Sequence, residues 1–268
     1  MRIHAVTPTE QLRPFIRAYV IIDSPGEKVN RVLPDTSLVM SFQYKGSVSG
    51  VADNDNENDD TSLPRSSISG LRKSLRSFHY ANGTGNILVL FKEAGAAAFL
   101  KTPLHHLYKK TVPLDQFVSR LDLAMVEEQI AGATTDAQKI ARIEKFLSAA
   151  LYNHTPDKLI SAALQKIHLA KGVIKIKELA GALYISQDAF EKRFRRAVGT
   201  SPKQFSSIVL MKSITSCRRL KQKLSDLAFD AGYCDQPHFN KDFRLFTGQT
   251  PSDFYKSPSP LEITDFVQ

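Results

Sequence analysis

The sequence has few cysteines and no long hydrophobic run. Only 2 of its 268 residues are cysteine, so a disulfide framework and a cysteine-rich zinc site are both excluded. No apolar stretch reaches the roughly 18 residues that a membrane-spanning helix requires. The N-terminal residues MRIHAVTPTEQLRPF are too polar for a secretory signal. Because 42% of the residues are hydrophobic, packed cores are expected. The composition predicts a folded cytoplasmic protein without a membrane partner.

Motifs for catalysis and metal binding are also missing. There is no nucleophile elbow, phosphate-binding glycine loop or supported pair of carboxylates. The histidines His4, His79, His105 and His106 have no recognisable metal spacing. The acidic stretch Ala52–Ser62 superficially suggests a calcium loop, but it lacks glycine at the sixth position and glutamate at the twelfth. We therefore expect a solvated loop there and a protein that is not an enzyme and has no cofactor or metal.

Positive charge is concentrated in the last third of the chain. Residues 171–256 contain 16 Lys and Arg against 8 Asp and Glu, whereas the remainder contains 20 against 19. A localised basic excess is typical of a protein that binds a polyanion such as DNA. A solvated basic face is the alternative at this point.

Hydrophobic periodicity predicts an α+β protein. Residues 1–112 are predicted to be mainly β, with short apolar strands at Ala18–Ile22, Leu38–Phe42 and Asn86–Phe91. Residues 113–156 are predicted to be a helical connector, residues 157–256 an all-α domain and residues 257–268 a tail. The apolar positions assigned to the connector helices are Leu121, Met125, Ile130, Ile140, Ile143, Phe146 and Leu147. A break is expected near Gly132.

The last hundred residues contain an internal repeat. Phe190, Phe194, Gly199, Pro202 and Phe205 recur as Phe239, Phe243, Gly248, Pro251 and Phe254, each at an offset of 49. Lys192 and Arg195 recur as Lys241 and Arg244 at the same offset, and Leu179-Ala180 recurs as Leu227-Ala228 at an offset of 48. The constant spacing indicates a duplicated structural unit.

Each copy is predicted to be a helix, a tight turn and a second helix. Ser186 and Asp235 suit the N-cap of the second helix, and Pro237 suits its first turn. Phenylalanines at a spacing of four predict a buried face. Long hydrogen-bonding side chains occupy the other face, and such groups read base edges in the major groove. The predicted DNA-binding residues are Gln187, Asp188, Glu191, Lys192, Arg195, Arg196, Gln236, Pro237, His238, Asn240, Lys241 and Arg244.

One long helix, Lys203–Leu220, is predicted to join the two units. Its eighteen residues would span about 27 Å, and successive major-groove segments on one face of DNA lie about 34 Å apart. One chain could therefore read two such segments. Basic residues near the end of this helix could neutralise phosphates: Arg218, Arg219, Lys221 and Lys223.

Two linked stretches carry a family resemblance. ELAGALYISQDAFEKRFRRAVGTSPKQF and LSDLAFDAGYCDQPHFNKDFRLFTGQTPSDF resemble the C-terminal DNA-binding region of AraC/XylS-family transcription regulators over about residues 159–256. The resemblance implies two helix-turn-helix units that bind double-stranded promoter DNA. It also implies an N-terminal half, often a cupin-like β-barrel, that senses a small-molecule effector or forms a homodimer. RNA polymerase is a further candidate partner.

Three positions depart from the pattern of that family. Tyr184 stands where the first turn usually has glycine, and Lys175 and Lys223 stand where a Ser or Thr cap is typical. Asp188 and Glu191 add negative charge to the first DNA-facing helix, so the first unit is expected either to bind weakly or to select cytosine. The second unit is expected to be the stronger DNA reader.

Two other functions remain open from the sequence. An enzyme of the DNA alkyl-repair type would need a reactive thiolate at Cys217 or Cys234, and fast thiol labelling would reveal one. A scaffold that binds only protein would leave the basic excess without a purpose, and a gel shift with random DNA at low salt would distinguish it.

Overall fold

The N-terminal part of the chain is built from β-strands. The structure is a computed structural model, and it describes residues 1–51, 62–151, 156–216, 233 and 235–256. Within these ranges the strands are β1 (Arg2–Val6), β2 (Ile16–Ser24), β3 (Lys28–Val32), β4 (Val39–Lys45), β5 (Val48–Val51), β6 (Ser66–Ser69), β7 (Arg76–Tyr80), β8 (Thr84–Phe91) and β9 (Thr111–Pro113). Strands β2 and β8 contain the predicted Ala18–Ile22 and Asn86–Phe91, and β4 overlaps the predicted Leu38–Phe42 but begins one residue later, at Val39.

The strands form two antiparallel sheets. The larger sheet has the order β1-β2-β8-β4-β6-β9, and the smaller one has the order β3-β7-β5. Strand β2 is buried on both faces. Tyr19 and Ile21 pack with the helices, whereas Val20 and Ile22 pack with side chains of the smaller sheet. The continuous apolar run of β2 thus follows from its position between two layers.

Two helices cover the outer face of the larger sheet. They are α1 (Arg120–Ala131) and α2 (Asp136–Ala150), separated at Gly132 as predicted. Phe146 on α2 packs edge-on against Phe42 of β4, with ring centroids 6.1 Å apart. The prediction of inward-facing Leu121 and Met125 is wrong, since these side chains are 81% and 56% exposed. Leu123, Val126 and Ile130 form the buried face of α1 instead, and they have the same helical spacing.

The C-terminal part is helical. Its helices are α3 (Lys158–Leu169), α4 (Ile176–Ala182), α5 (Gln187–Val198), α6 (Pro202–Thr215), α7 (Gln236–Thr247) and α8 (Pro251–Phe254). The β-rich N-terminal part and the helical C-terminal part confirm the predicted α+β class. No helix of the described ranges is long and apolar enough to span a membrane.

The two helical units belong to different cores. Phe190, Phe194 and Phe205 join the core of the larger sheet. By contrast, Phe239 and Phe243 of α7 pack in a separate core with Ile208, Met211 and Ile214 of α6 and with Leu33 and Leu75 of the N-terminal part. The first unit is therefore continuous with the N-terminal core. The second unit contacts the N-terminal part through a few side chains, among them Leu33 and Leu75.

A buried ion cluster joins α6 to the N-terminal part. Asp35 accepts hydrogen bonds from Arg17, at 2.6 Å, and from Lys212 of α6. Burial alone would raise the pKa of Asp35, but the charges of Lys212 and Arg17 outweigh it and lower this pKa to about 2. We call Arg17, Asp35 and Lys212 the Asp35 cluster.

Several predicted features lie outside the described residues. They are most of the acidic stretch (52–61), the first helix of the second unit, the two cysteines, the end of the connecting helix beyond Ser216 with its basic residues, and the tail from 257.

Candidate nucleic-acid interface

The first unit has the predicted helix, turn and helix. Leu179 and Ala180 of α4 are buried, and the N–H of Ile185 donates to the carbonyl of Ala180 at 3.2 Å, which closes the turn. The Ser186 hydroxyl accepts from the N–H of Ala189 and caps α5. Gly199 ends α5 with a φ of 97°, a left-handed conformation that suits glycine. The predicted cap is confirmed.

Tyr184 occupies the turn in a strained conformation. Its φ is 55°, and its side chain is 99% exposed. A left-handed conformation costs a residue with a Cβ about 1–2 kcal/mol, and a tyrosine exposed to this degree recovers none of it by packing. The departure from glycine noted in the sequence therefore has a structural cost.

Helix α5 turns a polar and mainly basic face to solvent. Gln187, Asp188, Lys192, Arg195 and Arg196 are exposed, as predicted from their spacing. Glu191 is half-buried and accepts hydrogen bonds from Gln187 at 3.0 Å and from Arg195 at 3.4 Å. The carboxylate of Glu191 is thus paired within the helix itself.

Arg193 points away from this face and links α5 to the start of α3. Its guanidinium donates to both carboxylate oxygens of Asp157, at 2.5 and 2.9 Å. Asp157 also caps α3 by accepting from the N–H groups of Leu159 and Ile160. Burial would raise the pKa of Asp157, but these hydrogen bonds lower it. Sequence reasoning missed this pair, and the cap signal at Asp157 was the clue to it.

Helix α7 repeats the arrangement in the second unit. Asp235 caps it by accepting from the N–H of His238 at 2.7 Å, and Pro237 lies in the first turn. Phe239, Phe243 and Phe246 are buried, as predicted. The predicted DNA-binding residues Gln236, Pro237, His238, Lys241 and Arg244 are exposed.

Asn240 is the least accessible of the predicted readers on α7. It is half-buried, and its Oδ1 is enclosed with no hydrogen-bond partner among the described residues. Asp242, on the flank of the helix, accepts from the Tyr233 hydroxyl at 3.0 Å. Asp242 therefore contacts the segment that precedes α7, and Lys241 and Arg244 supply the exposed charge of the helix.

The N-terminal part contains a cavity of about 130 Å³ between its two sheets. The lining is mainly apolar and includes Val20, Val48 and Leu88, with polar groups such as Asn30 and Ser41. A cavity of this size holds a molecule of about six carbon atoms.

The wall of the cavity continues into the contacts with the helical part. Leu33 lines the cavity and also packs in the core of the second unit. Asp35 lines it too and pairs with Lys212. Close by, the N–H of Leu75 donates to the carbonyl of Leu245 on α7 at 3.1 Å.

Family models match both parts of the chain. Residues 179–257 match a model described as a helix-turn-helix domain, and residues 4–113 match a domain of unknown function, DUF6597. The C-terminal part of the chain thus contains a helix-turn-helix domain. With two capped helices that expose basic faces, this domain supports the function of a DNA-binding transcription regulator. No curated protein matches the chain.

Solved structures of regulators resemble the chain at low identity. ToxT from Vibrio cholerae, bound to an unsaturated fatty acid, is 14% identical over 91% of this chain and 96% of its own, with a TM-score of 0.43. The xylose-binding transcription activator XylR is 18% identical over 46% of this chain and 40% of its own, with a TM-score of 0.35. The AraC-like transcriptional activator CuxR is 11% identical over 79% of this chain and 86% of its own, with a TM-score of 0.25. Likenesses of this strength do not define the function of this chain.

Proposed function

We propose that this protein is a sequence-specific, non-enzymatic transcription regulator whose helices α5 and α7 read successive major-groove segments of promoter DNA. The observation that carries this proposal is the paired design of the two helices. Each has 12 residues, an N-cap that accepts a backbone N–H, a buried phenylalanine stripe and an exposed polar face. In this proposal residues 157–256 bind DNA, residues 113–156 connect, and residues 1–112 sense or oligomerise.

The exposed side chains fit the base edges of the major groove. Lys192 and Arg195 on α5, with Lys241 and Arg244 on α7, are donors for guanine. Gln187 and Gln236 are suited to adenine. Because Glu191 is already paired with Gln187 and Arg195, it contributes less repulsion toward phosphate than its charge alone suggests.

The cavity supports a small-molecule effector. We propose a compact and mainly apolar ligand with a hydrogen-bonding group, because the lining combines aliphatic and aromatic side chains with a few polar and charged groups. Leu33 and Asp35 would pass its effect to α6 and α7, since they belong both to the cavity wall and to the contacts with these helices. A thermal-shift screen of such compounds, repeated with operator DNA, tests this part.

A second copy of the chain is a further proposed partner. Helix α1 exposes Leu121 and Met125, and beside it lies a groove lined by Phe117, Val126 and Phe146. These apolar groups suit a symmetric helix contact between two chains. Sedimentation of Met125→Glu against the unmodified protein would show whether α1 forms a dimer.

Base reading is tested by selecting bound fragments from genomic DNA. Lys241→Ala and Arg244→Ala should each weaken binding by about 1–3 kcal/mol and relax the preference at one base pair. Lys28→Ala, an exposed position on β3, is the control with the same loss of charge as Lys241→Ala. If all fragments bind with equal affinity, or if both variants retain the full preference, the proposal is wrong.

A further inference from the structure

A basic segment of the N-terminal part lies outside the two helix-turn-helix units. Residues 101–110, KTPLHHLYKK, contain three lysines, two histidines and no acidic residue. All five of these side chains are exposed. The guanidinium of Arg72 adds a further cation, because it donates to the carbonyl of Lys109 at 3.3 Å. We call residues 101–110 the basic segment.

The basic segment is attached to the C-terminal end of α5. Leu104 and Leu107 form a buried turn in the same core as Phe190 and Phe194. At Gly199, where α5 ends, a Cβ would lie only 3.3 Å from the carbonyl oxygen of Leu104, so the two backbones are in close contact.

Polar contacts add to this attachment. The His105 ring lies close to the backbone of Arg195, and the Tyr108 hydroxyl lies close to Thr200. Burial lowers the pKa of His105, and the charges of His106 and Arg195 lower it further. The basic segment and the basic end of α5 are therefore electrostatic neighbours.

Lys109 and Lys110 carry the charges of the basic segment on which the argument rests. Neither Lys109 nor Lys110 forms an ion pair with a residue of the described part of the chain, and the ammonium of Lys109 lies 5.8 Å from the centre of the Tyr108 ring. Lys109 also has a φ of 61°, a conformation that costs a residue with a Cβ free energy. Lys109 and Lys110 thus follow directly on the turn that contacts α5, the helix that exposes Lys192, Arg195 and Arg196, and the two sets of cations repel one another.

A polyanion relieves this repulsion, and DNA is the polyanion that α5 is proposed to bind. We propose that the basic segment binds phosphates that flank the base pairs read by α5, so that the N-terminal part supplies a DNA-backbone contact of its own. This inference rests on the proposed function of α5. Phosphate contacts fix the register of a protein on DNA and carry no base preference. The basic segment therefore orients the first unit on its site.

The test compares the full-length chain with the double variant Lys109→Ala/Lys110→Ala. The control is Lys28→Ala/Lys45→Ala on β3 and β4, which removes the same charge from exposed positions. Affinity is measured as a function of salt concentration on the selected site, on single-base variants of it and on random DNA. The salt slope is the slope of the logarithm of the binding constant against the logarithm of the salt concentration. Each phosphate contact that is lost reduces the magnitude of this slope by about 0.9. We expect a reduction of about 1 to 2 for the test variant, the same fold loss on every DNA, and no reduction for the control.

Ethylation of single phosphates provides a second readout. In the unmodified chain, ethylation of certain phosphates next to the base pairs read by α5 should weaken binding. In the test variant, ethylation of the same phosphates should no longer weaken binding. An unchanged salt slope and an unchanged ethylation pattern would overturn the inference while leaving base reading by α5 and α7 intact. A loss equal to that of the control would overturn it as well. If the chain shows no preferred site, the proposed function fails, and the slope on random DNA still decides whether the basic segment contacts phosphate.

Discussion

Replacing Asp35 by asparagine tests the electrostatic link between the N-terminal part and the DNA-binding helices. The Asp35 side chain is 5% exposed and pairs with Arg17 and Lys212. Asparagine keeps the shape of the side chain but leaves two partly buried cations without a counter-charge. The folded protein should therefore lose free energy of unfolding.

The magnitude follows from the pKa of Asp35. This pKa is lowered from 3.8 to about 2 in the folded protein. Each unit corresponds to 1.36 kcal/mol, so the ionised carboxylate stabilises the fold by about 2 kcal/mol at neutral pH. Because the folded pKa lies below the unfolded one, this contribution is present above about pH 4 and is lost as the pH falls toward about 2.

Urea unfolding at several pH values measures the effect. At pH 7 the Asp35→Asn variant should be about 2 kcal/mol less stable than the unmodified chain, and the difference should shrink steadily below about pH 4. The control is Asp115→Asn, which removes an exposed pair with Arg120 and should cost less than about 0.5 kcal/mol. A difference that is independent of pH, or equal to that of the control, would refute the reasoning.

Two further predictions concern the turn of the first unit and a histidine. Tyr184→Gly should raise the free energy of unfolding by about 1 kcal/mol because it relieves the left-handed backbone, and an unchanged urea midpoint would contradict this. The pKa of His168 is raised, chiefly by its hydrogen bond with Glu93, so the pair stabilises the fold fully below about pH 6.5 and less as the pH rises through the folded pKa. In an NMR titration Glu93→Gln should bring the pKa of His168 back toward 6.5, and an unaltered pKa in that variant would argue against the pairing.

Local chemistry determined the helix-turn-helix units. The caps Ser186 and Asp235 and the phenylalanine stripes of α5 and α7 act within one or two turns of their own helix. Such short-range terms are readable without the fold. The same holds for the strands β2, β4 and β8, whose apolar runs are long enough to exclude a solvated loop.

The sequence pattern of α1 was ambiguous, and tertiary packing decided which of its apolar faces is buried. Leu121 and Met125 fit an amphipathic helix as well as Leu123 and Val126 do, and which stripe is buried depends on where α2 and the larger sheet lie. Periodicity identifies the apolar faces of a helix, and it does not identify the layer that covers one of them.

The amino-acid order alone thus specified three of the strands, the duplicated helical unit and the polar faces of its second helices. Only the folded chain brought Asp35 to Lys212, 177 residues away, enclosed a cavity between the sheets, and placed residues 101–110 against the end of α5. The reason is that capping and periodicity involve neighbours along the chain, whereas ion pairs, cavities and shared surfaces arise between segments whose meeting depends on the packing of the whole core.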